Sequence, residues 1–219
     1  MQSAFSTLYH NHLISLVEET NAVAVSVEYR LAPEHHVPAC YDDVWTALQW
    51  VAQHATGQGP DPWLNDLAAF ERVFLVGDSA GANIGHNIAI RVGLEGLGSA
   101  LKLEGLVLVH PFFGNEEPNK LWTYICPGTS GIHDPRLNPA ADPGLLSKLG
   151  CSRVIVFVGE KDHLRERGWT YCNALSKSGW VGSVEVEEAE GEGHVFHLFN
   201  PGCEKARNLI KRLASFMRH

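Results

Sequence analysis

Residues 73–90 read VFLVGDSAGANIGHNIAI, and the rest of the chain is best read outward from them. The opening VFLV is a short apolar run of branched and aromatic side chains, which suits a strand buried on both faces. Gly77 and Gly81 flank Ser79 in a G-x-S-x-G pattern, and Ala82, Ile84, Ile88 and Ala89 carry a helical apolar rhythm behind it. A serine between strand and helix with only small neighbours lets the chain turn sharply enough to expose Oγ, the layout of a nucleophile elbow. The alternative is a plain turn serine, so the choice rests on whether the chain also supplies a base and an acid.

On either side, apolar runs of strand length alternate with helical patterns, the signature of an α/β fold with a mainly parallel sheet flanked by helices. Strands are expected at 22–29 (AVAVSVEY), from Val73, up to His110 (LEGLVLVH), up to Gly159 (RVIVFVG) and up to Ala189 (SVEVEEA). Helices are expected over 6–19, 41–54, 169–178 and 204–218, the last with Leu209, Ile210, Leu213, Phe216 and Met217 inward. Residues 111–150 break the alternation: the stretch is rich in Pro, Gly and Asn and too long for a simple connection. Its Phe112, Phe113, Trp122 and Tyr124 point to an ordered cap or pocket wall rather than disorder.

The 219 residues are enough for one sizeable core, and a single domain over 1–219 is the expectation. With 45% hydrophobic and 19% charged residues the composition is that of a globular protein. A net charge of -8, with basic residues clustered only in KRLASFMRH at the end, argues against nucleic acid and anionic membranes as partners. Five scattered cysteines without a C-x-x-C pair favour a reducing compartment, and a cytoplasmic location is expected. Nothing in the sequence indicates an oligomeric state.

A serine hydroxyl needs a base to take its proton, and the base needs an acid to fix its tautomer. Asp162 lies just past the strand ending at Gly159, and His194 sits in the glycine-bracketed loop EGEGHVFHLF after the next strand. Ser79, Asp162 and His194 thus follow one another in the order of the α/β-hydrolases, each after a strand end where catalytic groups gather. Asp162 also reads as a helix N-cap, Glu160 and Asp134 compete for the acid, and His197 competes for the base. His194 and His197 form an H-x-x-H pair, but no further cluster of ligand spacing supports a metal.

VGDSAGANIGHNIAIR, YRLAPEHHVPACYDD, GLVLVHPFFG, CPGTSGIHDPRLNP, EKDHLRERGW and EGEGHVFHLFNP together resemble the plant carboxylesterases of the hormone-sensitive lipase-like branch of the α/β-hydrolases. The resemblance implies Ser79 as nucleophile, Asp162 as acid, His194 as base and the Ala80 backbone N–H as an oxyanion donor. It implies a serine carboxylesterase acting on small acyl or aryl esters without metal or organic cofactor, with Phe112, Phe113, Trp122 and Val195 as candidate pocket residues. Relatives of the same family include 2-hydroxyisoflavanone dehydratases, tuliposide-converting lyases and gibberellin receptors. The receptors replace the catalytic histidine, which is present here as His194.

The family also carries a His-Gly-Gly-Gly loop that supplies the other oxyanion donors, and no such run occurs in this chain. The resemblance therefore implies a member without its first strands, one of which would lie between 22–29 and 73–77. Loss of one oxyanion donor typically lowers turnover by roughly a hundred- to a thousandfold. A chain of this extent is expected to be poorly stable and weakly active, and an inactive truncated paralogue is the remaining alternative.

Overall fold

The computed structural model describes residues 3–98 and 101–218. In chain order the elements are α1 (Thr7–Thr20), α2 (Ala39–His54), α3 (Pro62–Leu67), β1 (Val73–Asp78), α4 (Ala80–Glu95), β2 (Leu103–Val109), α5 (Lys120–Ile125), α6 (Pro143–Leu146), β3 (Arg153–Gly159), α7 (Arg165–Lys177), β4 (Ser183–Ala189), α8 (Phe196–Phe199) and α9 (Glu204–Arg218). The strands form one parallel sheet in the order β1-β2-β3-β4. Val76, Val107, Ile155 and Glu185 stand in one row across it.

Both faces of the two central strands are covered, which is why their sequences are continuous apolar runs. Leu106, Leu108, Val154, Val156 and Val158 face α4 and α7, packing with Ala82, Ala89, Tyr171 and Leu175. Val107, Val109, Ile155 and Phe157 face the other way, against Leu16 of α1 and Leu209, Leu213 and Phe216 of α9. In α9 the buried Ala206, Leu209, Leu213 and Phe216 form the stripe expected from the 3.6-residue period. On edge strand β4 the period is two. Val184 and Val186 meet the α7 side, while Glu185 and Glu187 accept from Arg212 of α9. Charge on an edge strand also discourages pairing with another chain. No helix of the described residues is long and apolar enough to cross a membrane.

Residues 22–29 depart from the sequence expectation. They run extended but outside any strand and, among the described residues, make no backbone ladder. Val23 and Val25 are 38% and 43% exposed. The segment and β1 line one cavity of about 500 Å3 instead of pairing with each other. Strand propensity needs a neighbouring ladder to become a strand, and AVAVSVEY has none. Residues 111–150 contain the short helices α5 and α6.

Candidate active site

Ser79 lies between β1 and α4 with φ 52° and ψ −113°. A non-glycine residue there costs about 1–3 kcal/mol and persists only where its surroundings enforce it. Here the Ser79 N–H donates to the Val109 carbonyl at 2.9 Å, while the Ser79 carbonyl accepts from the N–H groups of Phe112 at 3.0 Å and Asn83 at 3.3 Å. The end of β2 and the first turn of α4 therefore clamp the bend from both sides. Gly77 is obligatory, since a Cβ there would lie 2.4 Å from the backbone of Gly81. Gly81 is not, because a Cβ at that position would meet nothing within 4 Å. The two glycines of the motif thus have different status.

His194 reaches Ser79 from the loop after β4. Its Nε2 is 2.9 Å from Ser79 Oγ and its Nδ1 is 2.8 Å from Asp162 Oδ2. The loop is tied to the turn after β3 by Lys161 N–H to the Glu192 carbonyl at 2.9 Å and by Gly191 N–H to Glu160 Oε2 at 2.6 Å. Glu160 thus holds the loop rather than the His194 ring. Asp134 pairs with Arg136, Thr129 and Trp122 away from the imidazole. His197 is buried with neither ring nitrogen hydrogen-bonded among the described residues, and burial, reinforced by His12, His110 and His194, pushes it down to about 2. Of the two histidines in the H-x-x-H pair, only His194 meets the serine.

Both oxygens of Asp162 are engaged, but it is not the N-cap expected from the sequence: α7 starts at Arg165, its N-cap residue is Leu164, and no side chain caps it. Oδ1 accepts the Leu164 N–H at 2.9 Å just before α7 begins, and Oδ2 accepts from His194 and from His110, each at 2.8 Å. Burial works to raise this carboxyl, but the hydrogen bonds from His110, His194 and Leu164 outweigh it and hold the group well below the usual carboxylate range. The carboxylate therefore stays charged and fixes Nδ1–H on His194, leaving Nε2 as the acceptor facing Ser79. The ligand atoms of His110, Asp162 and His194 lie within 4.8 Å of one another, and hydrogen bonds to Asp162 engage both imidazoles.

Ala80 opens α4, where a helix N–H has no intrahelical acceptor, and it borders two cavities. One is a recess of about 30 Å3 lined by Val37, Ile84, Phe112 and Trp122 among others. The larger cavity carries Ser79, His194 and Val195 on its wall. Phe113 lines neither: its ring stacks on Tyr171 with centroids 4.8 Å apart and lies edge-on to His86. The reason is that successive side chains leave the chain after β2 on opposite sides, so Phe112 takes the pocket side and Phe113 the core. Sequence reasoning also missed Tyr9 of α1, whose hydroxyl donates to Asp78 Oδ2 at 2.9 Å. Burial raises Asp78 and Tyr9 alike. Tyr9 lies in none of the motifs that carry the resemblance, and His110 stands in the stretch GLVLVHPFFG with no spacing that links it to Asp162.

A family model described as alpha/beta hydrolase fold matches residues 1–198. "Probable carboxylesterase 1" of Arabidopsis thaliana is 45% identical, covering 100% of this chain and 72% of the relative. "2-hydroxyisoflavanone dehydratase" of Glycyrrhiza echinata is 42% identical over 99% of this chain and 72% of its own length. Among solved structures, a hyperthermophilic esterase from the archaeon Pyrobaculum calidifontis superposes with a TM-score of 0.76 at 26% identity, over 99% of this chain and 72% of that one. With a strained serine at the end of β1, a parallel sheet covered on both faces and relatives of this identity along its whole length, the chain belongs to the plant carboxylesterase family of the α/β-hydrolase fold.

Proposed function

We propose that the chain is a serine carboxylesterase in which Ser79, His194 and Asp162 act as nucleophile, base and acid. The observation that carries this reading is the hydrogen-bonded line Ser79 Oγ, His194 Nε2, His194 Nδ1, Asp162 Oδ2, with steps of 2.9 Å and 2.8 Å. His194 takes the Ser79 proton as Oγ attacks the ester carbonyl, and Asp162 stabilises the imidazolium that forms. The Ala80 N–H donates to the oxyanion. His194 then gives its proton to the leaving alcohol, leaving an acyl-serine, and water repeats the sequence to release the acid.

The small apolar recess beside Ala80, walled by Phe112 and Trp122, supports short acyl or aryl esters as substrates. Residues 111–150 serve in this reading as a cap within one α/β-hydrolase domain. The five cysteines are free thiols, which supports a reducing, cytoplasmic setting. The 42% identity to a dehydratase keeps one competing reading, in which the same base removes a proton for an elimination.

A fluorophosphonate probe tests the nucleophile by forming a covalent bond to an activated serine. The unsubstituted chain is expected to be labelled and Ser79→Ala to be inert. His194→Ala should lose labelling where His197→Ala keeps it. Labelling that survives Ser79→Ala removes Ser79 from the role, and a labelled protein that dehydrates a 2-hydroxyisoflavanone but hydrolyses no p-nitrophenyl acetate favours the elimination.

A further inference from the structure

The carboxylate of Asp162 serves two imidazoles, and only one of them has been given a role. His110 directly follows β2, 1% exposed, and its Nδ1 lies 2.8 Å from the same Oδ2 that accepts from His194. Its backbone has φ 50°, a conformation uncommon for a residue with a side chain. Its Nε2 is buried without a partner among the described residues. An unmatched buried polar atom costs about 1–3 kcal/mol, and the left-handed backbone adds to this. Two unfavourable features thus coincide at the residue whose remaining nitrogen touches the catalytic acid. Packing alone does not call for an imidazole there, since an apolar ring would leave no nitrogen unmatched.

The ring is held as firmly as it holds. The His110 N–H donates to the Phe157 carbonyl at 2.8 Å. One face of the ring stacks on His197, with centroids 6.0 Å apart and planes 17° apart, and its edge meets Phe196. Gly159 leaves room for it, since a Cβ there would come within 3.1 Å of His110 Cε1. The last torsion of an aspartate is broad and nearly two-fold. Leu164 N–H fixes Oδ1, and a second donor on Oδ2 removes the freedom that remains.

We propose that His110 is a positioning residue: its Nδ1–H fixes the Asp162 carboxylate in the orientation that His194 needs. This rests on the reading of Ser79, His194 and Asp162 as a hydrolytic triad. Without His110 the carboxylate can turn about its last torsion, the His194 ring loses its fixed direction, and proton transfer from Ser79 slows while ester binding is untouched.

The test compares two substitutions that both accept a positive φ. His110→Gly removes the donor, whereas His110→Asn returns an amide N–H near the position of Nδ1. With p-nitrophenyl acetate, His110→Gly is expected to lower kcat by about 10- to 100-fold, the scale for a misplaced catalytic group, with KM within about threefold. His110→Asn is expected to recover kcat to within about threefold of the unsubstituted protein. Equal loss in the two variants, or full kcat in His110→Gly, overturns the proposal. Should the variants not fold, the unsubstituted protein with 15N-labelled histidine decides. Two low-field Nδ1–H proton resonances, one each from His110 and His194, are expected, and a single one overturns the proposal. Failure of the fluorophosphonate to label the unsubstituted protein would instead sink the triad reading itself.

Discussion

An added methyl group separates the two glycines that frame Ser79. At Gly77 it would press within 2.4 Å of the Gly81 carbonyl carbon and oxygen, and backbone cannot swing aside as a flexible side chain can. At Gly81 it would enter open space, on a helix where alanine is intrinsically better than glycine. Gly77→Ala is therefore expected to lower turnover by about 100-fold, because relieving the clash displaces the elbow that aims Oγ. Gly81→Ala is expected to raise stability by up to about 1 kcal/mol in urea unfolding. Equal behaviour of the two variants would falsify this account of the bend. The motif marked both positions alike, since spacing records which residues are small and not which neighbours they touch. His110 shows the same limit from the other side. Its sequence neighbours label it the end of a strand, and its link to Asp162 appears only once the crossover through residues 111–150 brings β2 and β3 side by side.

Between elements, Asn83 does for the cap segment what Val109 does for the elbow. Its Nδ2 donates to the carbonyls of Phe112 at 3.1 Å and Arg136 at 2.8 Å, and its Oδ1 accepts from the Tyr41 hydroxyl of α2 at 2.7 Å. One side chain thus ties α4 to α2 and to two separate points of residues 111–150. Asn83→Leu keeps the volume but takes the partner from the Phe112 carbonyl and from the Tyr41 O–H, while the Arg136 carbonyl keeps Asn87 Nδ2 at 3.1 Å; at about 1–3 kcal/mol per buried unmatched group it is expected to destabilise by at least about 2 kcal/mol in urea unfolding. Tyr41→Phe, which leaves both carbonyls satisfied, should cost about 1 kcal/mol. The strands that carry the site were legible because buried parallel strands are written as unbroken apolar runs, as in Val154 to Val158. The helices were legible from their stripes. Asn83 was not, because a side chain that bridges three elements leaves no period in the chain. Residues 22–29 were misread for the converse reason: their composition is that of a strand, but the ladder that makes a strand belongs to the neighbour.

At the scale of the whole molecule, the buried histidines set how the fold responds to acid. His86 and His197 are each 2% exposed. Burial pushes His86 down to about 3, while burial together with His12, His110 and His194 pushes His197 down to about 2. His12 is lowered by burial as well. In the unfolded chain a histidine titrates near 6.5, so below that pH the unfolded state binds protons that the folded state refuses. Their contribution is complete above about pH 6.5 and declines as the pH falls toward their folded values. Asp162 and Asp134, both lowered in the fold, lose their contribution only below about pH 4, where unfolded carboxylates begin to protonate. The decline between pH 6.5 and 4 is therefore the histidines' own, and Asp78, raised by burial, works against it as it takes up a proton in the fold. His86 and His197 together should remove about 3 kcal/mol of stability between pH 7.5 and 5.5, read as a fall in the urea midpoint. His86 shares its Nδ1 with the Tyr171 hydroxyl at 3.2 Å, so the matching control is the double substitution His86→Leu with Tyr171→Phe, which removes the titrating ring and its partner together. That variant is expected to flatten the fall by about half, because one of the two deeply buried rings is gone. A midpoint that stays level from pH 7.5 to 5.5 in the unsubstituted protein would mean that these imidazoles take up protons in the folded state, and that the core around them opens to water far more readily than its packing implies.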